Sequence, residues 1–60
     1  MFRVHTQWRN RWTVHHIDHV TLDDAVAFAR AATTTPWRVV RGKKTYAEGH
    51  AKRIYRQEQP

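Results

Sequence analysis

Phe2-Arg3-Val4-His5-Thr6-Gln7-Trp8-Arg9-Asn10-Arg11-Trp12-Thr13-Val14-His15-His16-Ile17 reads as a β-hairpin. From residue 2 to residue 9 the chain alternates, with Phe2, Val4, Thr6 and Trp8 on one side and Arg3, His5, Gln7 and Arg9 on the other. That period of two is the signature of a half-buried strand. Trp12 to Ile17 repeats it, with Trp12, Val14 and His16 against Thr13, His15 and Ile17. Arg9-Asn10-Arg11 fits a three-residue loop between the strands, because Asn10 tolerates left-handed backbone angles. A loop of that length sets Trp8 opposite Trp12, Thr6 opposite Val14 and Val4 opposite His16. The other face then pairs Gln7 with Thr13, His5 with His15 and Arg3 with Ile17. The first face is aromatic and aliphatic and is expected to be core, with Trp8, Trp12 and Trp37 all buried. The second is polar, basic and rich in histidine.

The next segment is expected to be helical from Thr21 to about Ala32. Thr21 is a good N-cap, and Asp24 follows three residues later as in a capping box. Asp23 and Asp24 both suit the positive end of the helix dipole. Leu22, Ala25, Val26, Ala29 and Ala32 form one stripe flanked by Phe28, so the helix can lie close to a sheet. Thr33-Thr34-Thr35-Pro36 ends it, because Pro36 disfavours helical angles at Thr35.

Trp37 to Arg41 is rich in strand formers. Gly42-Lys43 suits a tight turn, and Lys44 to Glu48 suits a fourth strand. Gly49 is expected to break the pattern. The reading is an α+β fold in the order ββαββ: an antiparallel sheet of three or four strands with one helix packed on one face. Residues 1–49 form the domain. Residues 50–60 form a basic C-terminal segment that is a docked helical turn, a short strand or a loose tail.

Length and composition narrow the function. A chain of 60 residues is one domain at most. It has no cysteine, which excludes disulfides and cysteine-ligated zinc. The net charge is +6 with histidines neutral, a balance suited to nucleic acid, an acidic protein surface or an anionic membrane as partner. Arg outnumbers Lys eight to three, favouring bidentate contacts to phosphate or carboxylate. No apolar run reaches the length of a membrane span, and Met1-Phe2-Arg3-Val4-His5 lacks a hydrophobic signal region. The expected location is the cytoplasm, with no membrane partner.

The chain holds neither Cys nor Ser, and no Thr sits in a nucleophile setting. It is expected not to be an enzyme and to carry no cofactor. His15 and His16 point to opposite faces of a strand, so they do not share a metal ion, and no set of four ligands is evident. The informative feature is the placement of charge: nearly all basic residues lie outside the helix, which carries two of the acids. Arg3, Arg9, Arg11, Arg38, Arg41, Lys43 and Lys44, with Gln7 and Asn10 as secondary polar contacts, are the candidate nucleic-acid-binding residues. Any exposed tryptophan among them would add a platform for bases. The alternative is a protein-binding module, in which Ile17, Ile54 and Tyr55 are the contact residues and a homodimer compensates for the small core.

Three parts of the chain also resemble a known group. They are the hairpin Phe2–Ile17 with Trp8 and Trp12, the run Thr21-Leu22-Asp23-Asp24-Ala25-Val26-Ala27-Phe28-Ala29-Arg30-Ala31, and the second hairpin from Trp37-Arg38-Val39-Val40 to Tyr46. Together they resemble the short uncharacterised ββαββ proteins of actinobacterial phages and their hosts. A composition heavy in Arg, Ala and Thr fits a high-GC genome. The resemblance implies an accessory or host-directed phage product in the host cytoplasm; it is the charge that suggests DNA, RNA or an acidic host protein as partner. It carries over no functional residue.

Overall fold

The computed structural model describes all 60 residues. Its elements are β1 (Phe2–Trp8), β2 (Arg11–His19), α1 (Leu22–Ala32), β3 (Pro36–Arg41), β4 (Lys44–His50) and β5 (Arg53–Gln57). The strands form one antiparallel sheet in the order β2-β1-β3-β4-β5. The helix connects edge strand β2 to β3 and packs on one face of the sheet. The other face is left uncovered.

The helix begins and ends where its side chains provide for it. Thr21 Oγ1 accepts a hydrogen bond from Asp24 N at 3.1 Å, satisfying one free donor of the first turn. Thr33 closes the helix through its N–H to Ala29 O at 3.2 Å. Its hydroxyl then accepts from Thr35 N at 3.1 Å. The threonine run therefore stops the helix and turns the chain with its own hydrogen bonds. Leu22, Ala25, Val26 and Ala29 are buried, whereas Ala32 is exposed at the last turn. Ala25 and Ala29 have no side-chain bulk to hold the helix off the sheet. Phe2, Val4, Trp37, Val39, Tyr46 and Ala47 fill the contact.

The first hairpin differs from the expectation by one residue. Its turn is Arg9–Asn10, and both residues have positive φ, at 50° and 66°. This is the two-residue connection whose twist matches the strands it joins. Trp8 therefore pairs with Arg11, and Gln7 with Trp12. A slip of one residue sends every side chain of a strand to the other face. Trp12 and Val14 thus lie on the uncovered face, and Thr13 and His15 on the helix side. Farther along, Val4 pairs with His15 but Phe2 pairs with His19, so His16-Ile17-Asp18 bulges opposite Arg3. Of the three tryptophans only Trp37 is core, at 1% exposure, while Trp8 is 63% and Trp12 40% exposed.

The second half is a meander. Gly42–Lys43 forms the β3–β4 turn, with Gly42 at φ +62°. Val39 pairs with Ala47 but Val40 with Thr45. The extra residue allows the consecutive Tyr46 and Ala47 both to be buried. Gly49 does not end the strand; β4 continues to His50. The segment that follows is a fifth strand, paired along β4. Gln57 Nε2 ties it to the helix start by donating to Asp23 Oδ1 at 3.1 Å.

Candidate nucleic-acid interface

The uncovered face is built by the register. Across β2, β1, β3, β4 and β5, one row runs Val14, His5, Arg38, Glu48 and Arg56. A neighbouring row carries Trp12 and Gln7 at one edge and His50 and Arg53 at the other. On the other side of the first row lie His16 and Asp18 of the bulge, then Arg3, Val40 and Thr45.

Arg38 is the central cation. Its guanidinium reaches over β1, and its Cζ lies 4.2 Å from the centroid of the Trp12 ring. Glu48 stands directly opposite Arg38 in register but gives its carboxylate to Arg56, 3.5 Å away. Arg38 therefore has no acid partner, and its buried Nε has no hydrogen-bond partner in the protein. A cation stacked on an indole keeps its charge while presenting a flat surface.

Beside this pair is a shallow basin of about 400 Å³, lined by Met1, Arg3, His5, Val14, His16, Val40 and Gly42. Val14 and Val40 supply its apolar surface. Arg3 Nε donates to Asp18 Oδ1 at 2.7 Å, and Nη1 to His16 Nδ1 at 3.4 Å. The hydrogen bond from Arg3 holds the Asp18 carboxyl below the ordinary carboxylate value. His5 is held below the usual histidine value by its partial burial, then by the charges of Arg38 and Arg3 and by His15 and His16.

The His5 shift has a consequence for stability. The fold favours the neutral imidazole, so the unfolded chain binds the proton first as pH falls. The contribution is complete above the unfolded value of about 6.5 and is lost as pH drops through the lowered folded value. Urea midpoints should fall between about pH 7.5 and pH 5, and His5→Gln should flatten that dependence. An unchanged slope in the variant would assign the acid sensitivity to another group.

The sequence-predicted residues do not form one patch. Arg3, Gln7 and Arg38 share the uncovered face. Arg9 and Asn10 are the first turn, with Arg9 Cζ 5.6 Å from the Trp8 ring, and Arg11 begins β2 opposite Trp8. Arg41, Lys43 and Lys44 lie at the opposite end, around the second turn. The two ends are separated by the length of β1, ~20 Å at ~3.3 Å per residue. Arg41 Cζ is 5.2 Å from both the Phe2 and Tyr46 rings, on the helix side. Lys44 is occupied by the Tyr46 ring at 4.9 Å and by Glu58 at 3.8 Å. Ile17 lies on edge strand β2, whereas Ile54 and Tyr55 lie on β5 at the other edge, so these three do not make one surface either.

Trp12, Val14 and His16 were missed because the three-residue loop put them on the covered face. The signal that finds them is the pair Arg9–Asn10 taken as a two-residue turn. The remaining histidines of this hairpin face the helix. His15 Nε2 and Thr6 Oγ1 share a hydrogen bond at 2.9 Å, and the rings of His15 and His19 flank Phe28 at 5.9 and 5.0 Å. No three His, Asp or Glu side chains gather as a metal-ligand set. No helix is long and apolar enough to cross a membrane. Comparison with protein-family models, curated proteins and solved structures found no match.

Proposed function

We propose that the protein is a binding module for single-stranded nucleic acid, engaged through the uncovered face of its sheet. The observation that carries this reading is the exposed Trp12 with Arg38 over its ring, an aromatic group and a cation without an acid partner on one surface. Bases inside a duplex are stacked on each other and cannot reach such a platform. Unpaired bases can, and stacking of this kind is worth ~1–3 kcal/mol per base. Gln7 beside Trp12, and Arg3 and Arg53 farther along the same face, are placed to meet phosphates or base edges. Arg9 and Asn10 at the first turn extend the surface along the end that also carries Arg11, Lys52 and Arg53. The reading is of a binder and not an enzyme, since the sequence lacks a set nucleophile.

The test is fluorescence anisotropy with short single-stranded and duplex oligonucleotides over a salt series. Single strands should bind more tightly, and log affinity should fall linearly with log salt. Trp12→Ala should weaken single-strand binding by roughly tenfold, in line with the loss of one stacked base. Arg38→Ala should weaken binding and reduce the salt slope by about one. No binding at low salt would reject the reading. Capture of a specific protein from nuclease-treated lysate would then favour the protein-partner alternative.

A further inference from the structure

We propose that the basin beside Trp12 seats a backbone phosphate of the bound strand, and that His5 takes up a proton from solvent when the phosphate arrives. This rests on reading the face as a nucleic-acid surface and goes beyond it by assigning a specific phosphate site with a pH dependence.

The geometry supplies the site. Trp12 and Val14 are same-face neighbours on β2, ~7 Å apart along the strand. A strand that stacks a base on Trp12 and runs along β2 brings its adjoining backbone over Val14 and the basin. There it meets Arg3, His5 and His16 around the apolar patch of Val14 and Val40. Arg3 uses Nε for Asp18 and Nη1 for His16, and its Nη2 has no protein partner, so it is free to donate to a phosphate oxygen. The imidazoles of His5 and His16 line the same rim.

The charges around His5 set the sign. Arg3 shares its strand, Arg38 faces it from β3, His16 approaches it from β2, Met1 lines the same basin with the N-terminal amine, and His15 acts from the helix side of the sheet. The carboxylates of this face lie one step farther out and are occupied, Asp18 by Arg3 and Glu48 by Arg56. In the free protein, burial and these like charges favour neutral His5. A phosphate placed among them reverses the local field and favours the imidazolium. Affinity should therefore rise as pH falls through the interval between the free and bound values of His5. For one proton the limit is roughly tenfold per pH unit. Acid thus weakens the fold through His5 and tightens the complex through the same side chain.

A short oligothymidylate is the suitable probe, because thymine does not titrate over this range. Its affinity is measured from about pH 8 to pH 5.5 at constant ionic strength. Binding calorimetry in two buffers of different ionisation enthalpy counts the protons taken up. The expected result is tighter binding at lower pH, with net uptake approaching one proton near the middle of the range. His5→Gln should bind more weakly than the wild type at low pH and lose the pH dependence, while His50→Gln, on the same face but outside the basin, should keep it. If His5→Gln does not fold, the calorimetric proton count on the wild type decides. Binding without proton uptake, or dependence that survives in folded His5→Gln, overturns the proposal and leaves the nucleic-acid reading intact. Absence of binding at every pH overturns both.

Discussion

Trp37→Ala should leave the chain largely unfolded at 25 °C. The indole is 1% exposed and is the largest fully buried side chain. Removing a large buried aromatic costs ~3–5 kcal/mol through lost transfer energy and the cavity left behind. The ring also fixes a second element, because its Nε1 donates to Ala51 O at 2.8 Å, in the turn between β4 and β5. Without that bond the Ala51 carbonyl and the turn, where Ala51 is held at φ 53°, lose their anchor. Whole domains are stable by only ~5–15 kcal/mol, and small ones lie at the low end. Loss of near-ultraviolet circular dichroism and of a cooperative thermal transition would be the observed result. Trp37→Phe retains most of the packing and loses the hydrogen bond, so it should remain folded with a lower melting temperature. A cooperative alanine variant with a wild-type melting temperature would show that the core does not depend on this ring.

Gly49→Ala should be the second most damaging single change, although it adds one methyl group. Gly49 is buried in β4 against Trp37 and the backbone of β5. A Cβ there would collide with the Arg53 carbonyl oxygen and with the indole of Trp37. The residue is needed for close approach, not for an unusual backbone angle. Overpacking of this kind costs ~1–3 kcal/mol when neighbours can move. Here one neighbour is main chain and the other is the anchored indole, so the upper part of that range is expected. The strand that yields should be β5, which is short and lies at an edge. Amide hydrogen exchange would therefore rise first in residues 53–57, with a fall in the urea midpoint. Combining Gly49→Ala with Trp37→Phe should cost less than the sum of the two, since the smaller ring removes one of the two collisions. Strict additivity would mean that the Arg53 backbone alone sets the cost.

The helix and the first four strands were legible because their signals are local. Thr21 and the Asp pair mark the helix start, and the 22, 25, 26, 29 spacing marks its buried stripe. The fifth strand was not resolved, because Arg53-Ile54-Tyr55-Arg56-Gln57 is exposed along most of its length. Such a segment has little alternation in polarity to reveal it, and it is held by pairing to β4 and by Gln57 on Asp23. Gly49 reads as a breaker because the sequence does not show that Trp37 needs the space. The candidate site turns on the backbone of Arg9, which has φ 50°. An arginine at positive φ is uncommon, so the three-residue loop used Asn10 alone as the left-handed residue. Accepting both residues in the turn places Trp12 with Arg38 and brings His5 and His16 into one basin. Sequence reasoning could name Arg3, Gln7 and Arg38. It could not show that they share a face, while Arg41 and Lys44 lie at the far end on the helix side, Lys44 paired with Glu58.

The bulge opposite Arg3 bears on self-association. Strand β2 is nine residues long, lies at an edge and contains Trp12, Thr13, Val14 and Ile17, which makes it a template for addition of another chain. A straight edge of this composition would invite stacking of copies into a continuous ladder. His16-Ile17-Asp18 interrupts the spacing of donors and acceptors along that edge, and the Arg3–Asp18 ion pair pins the distortion in place. Asp18→Ala should thus make itself known in the test tube as turbidity and thioflavin-positive material on storage, well before any change in fold is seen.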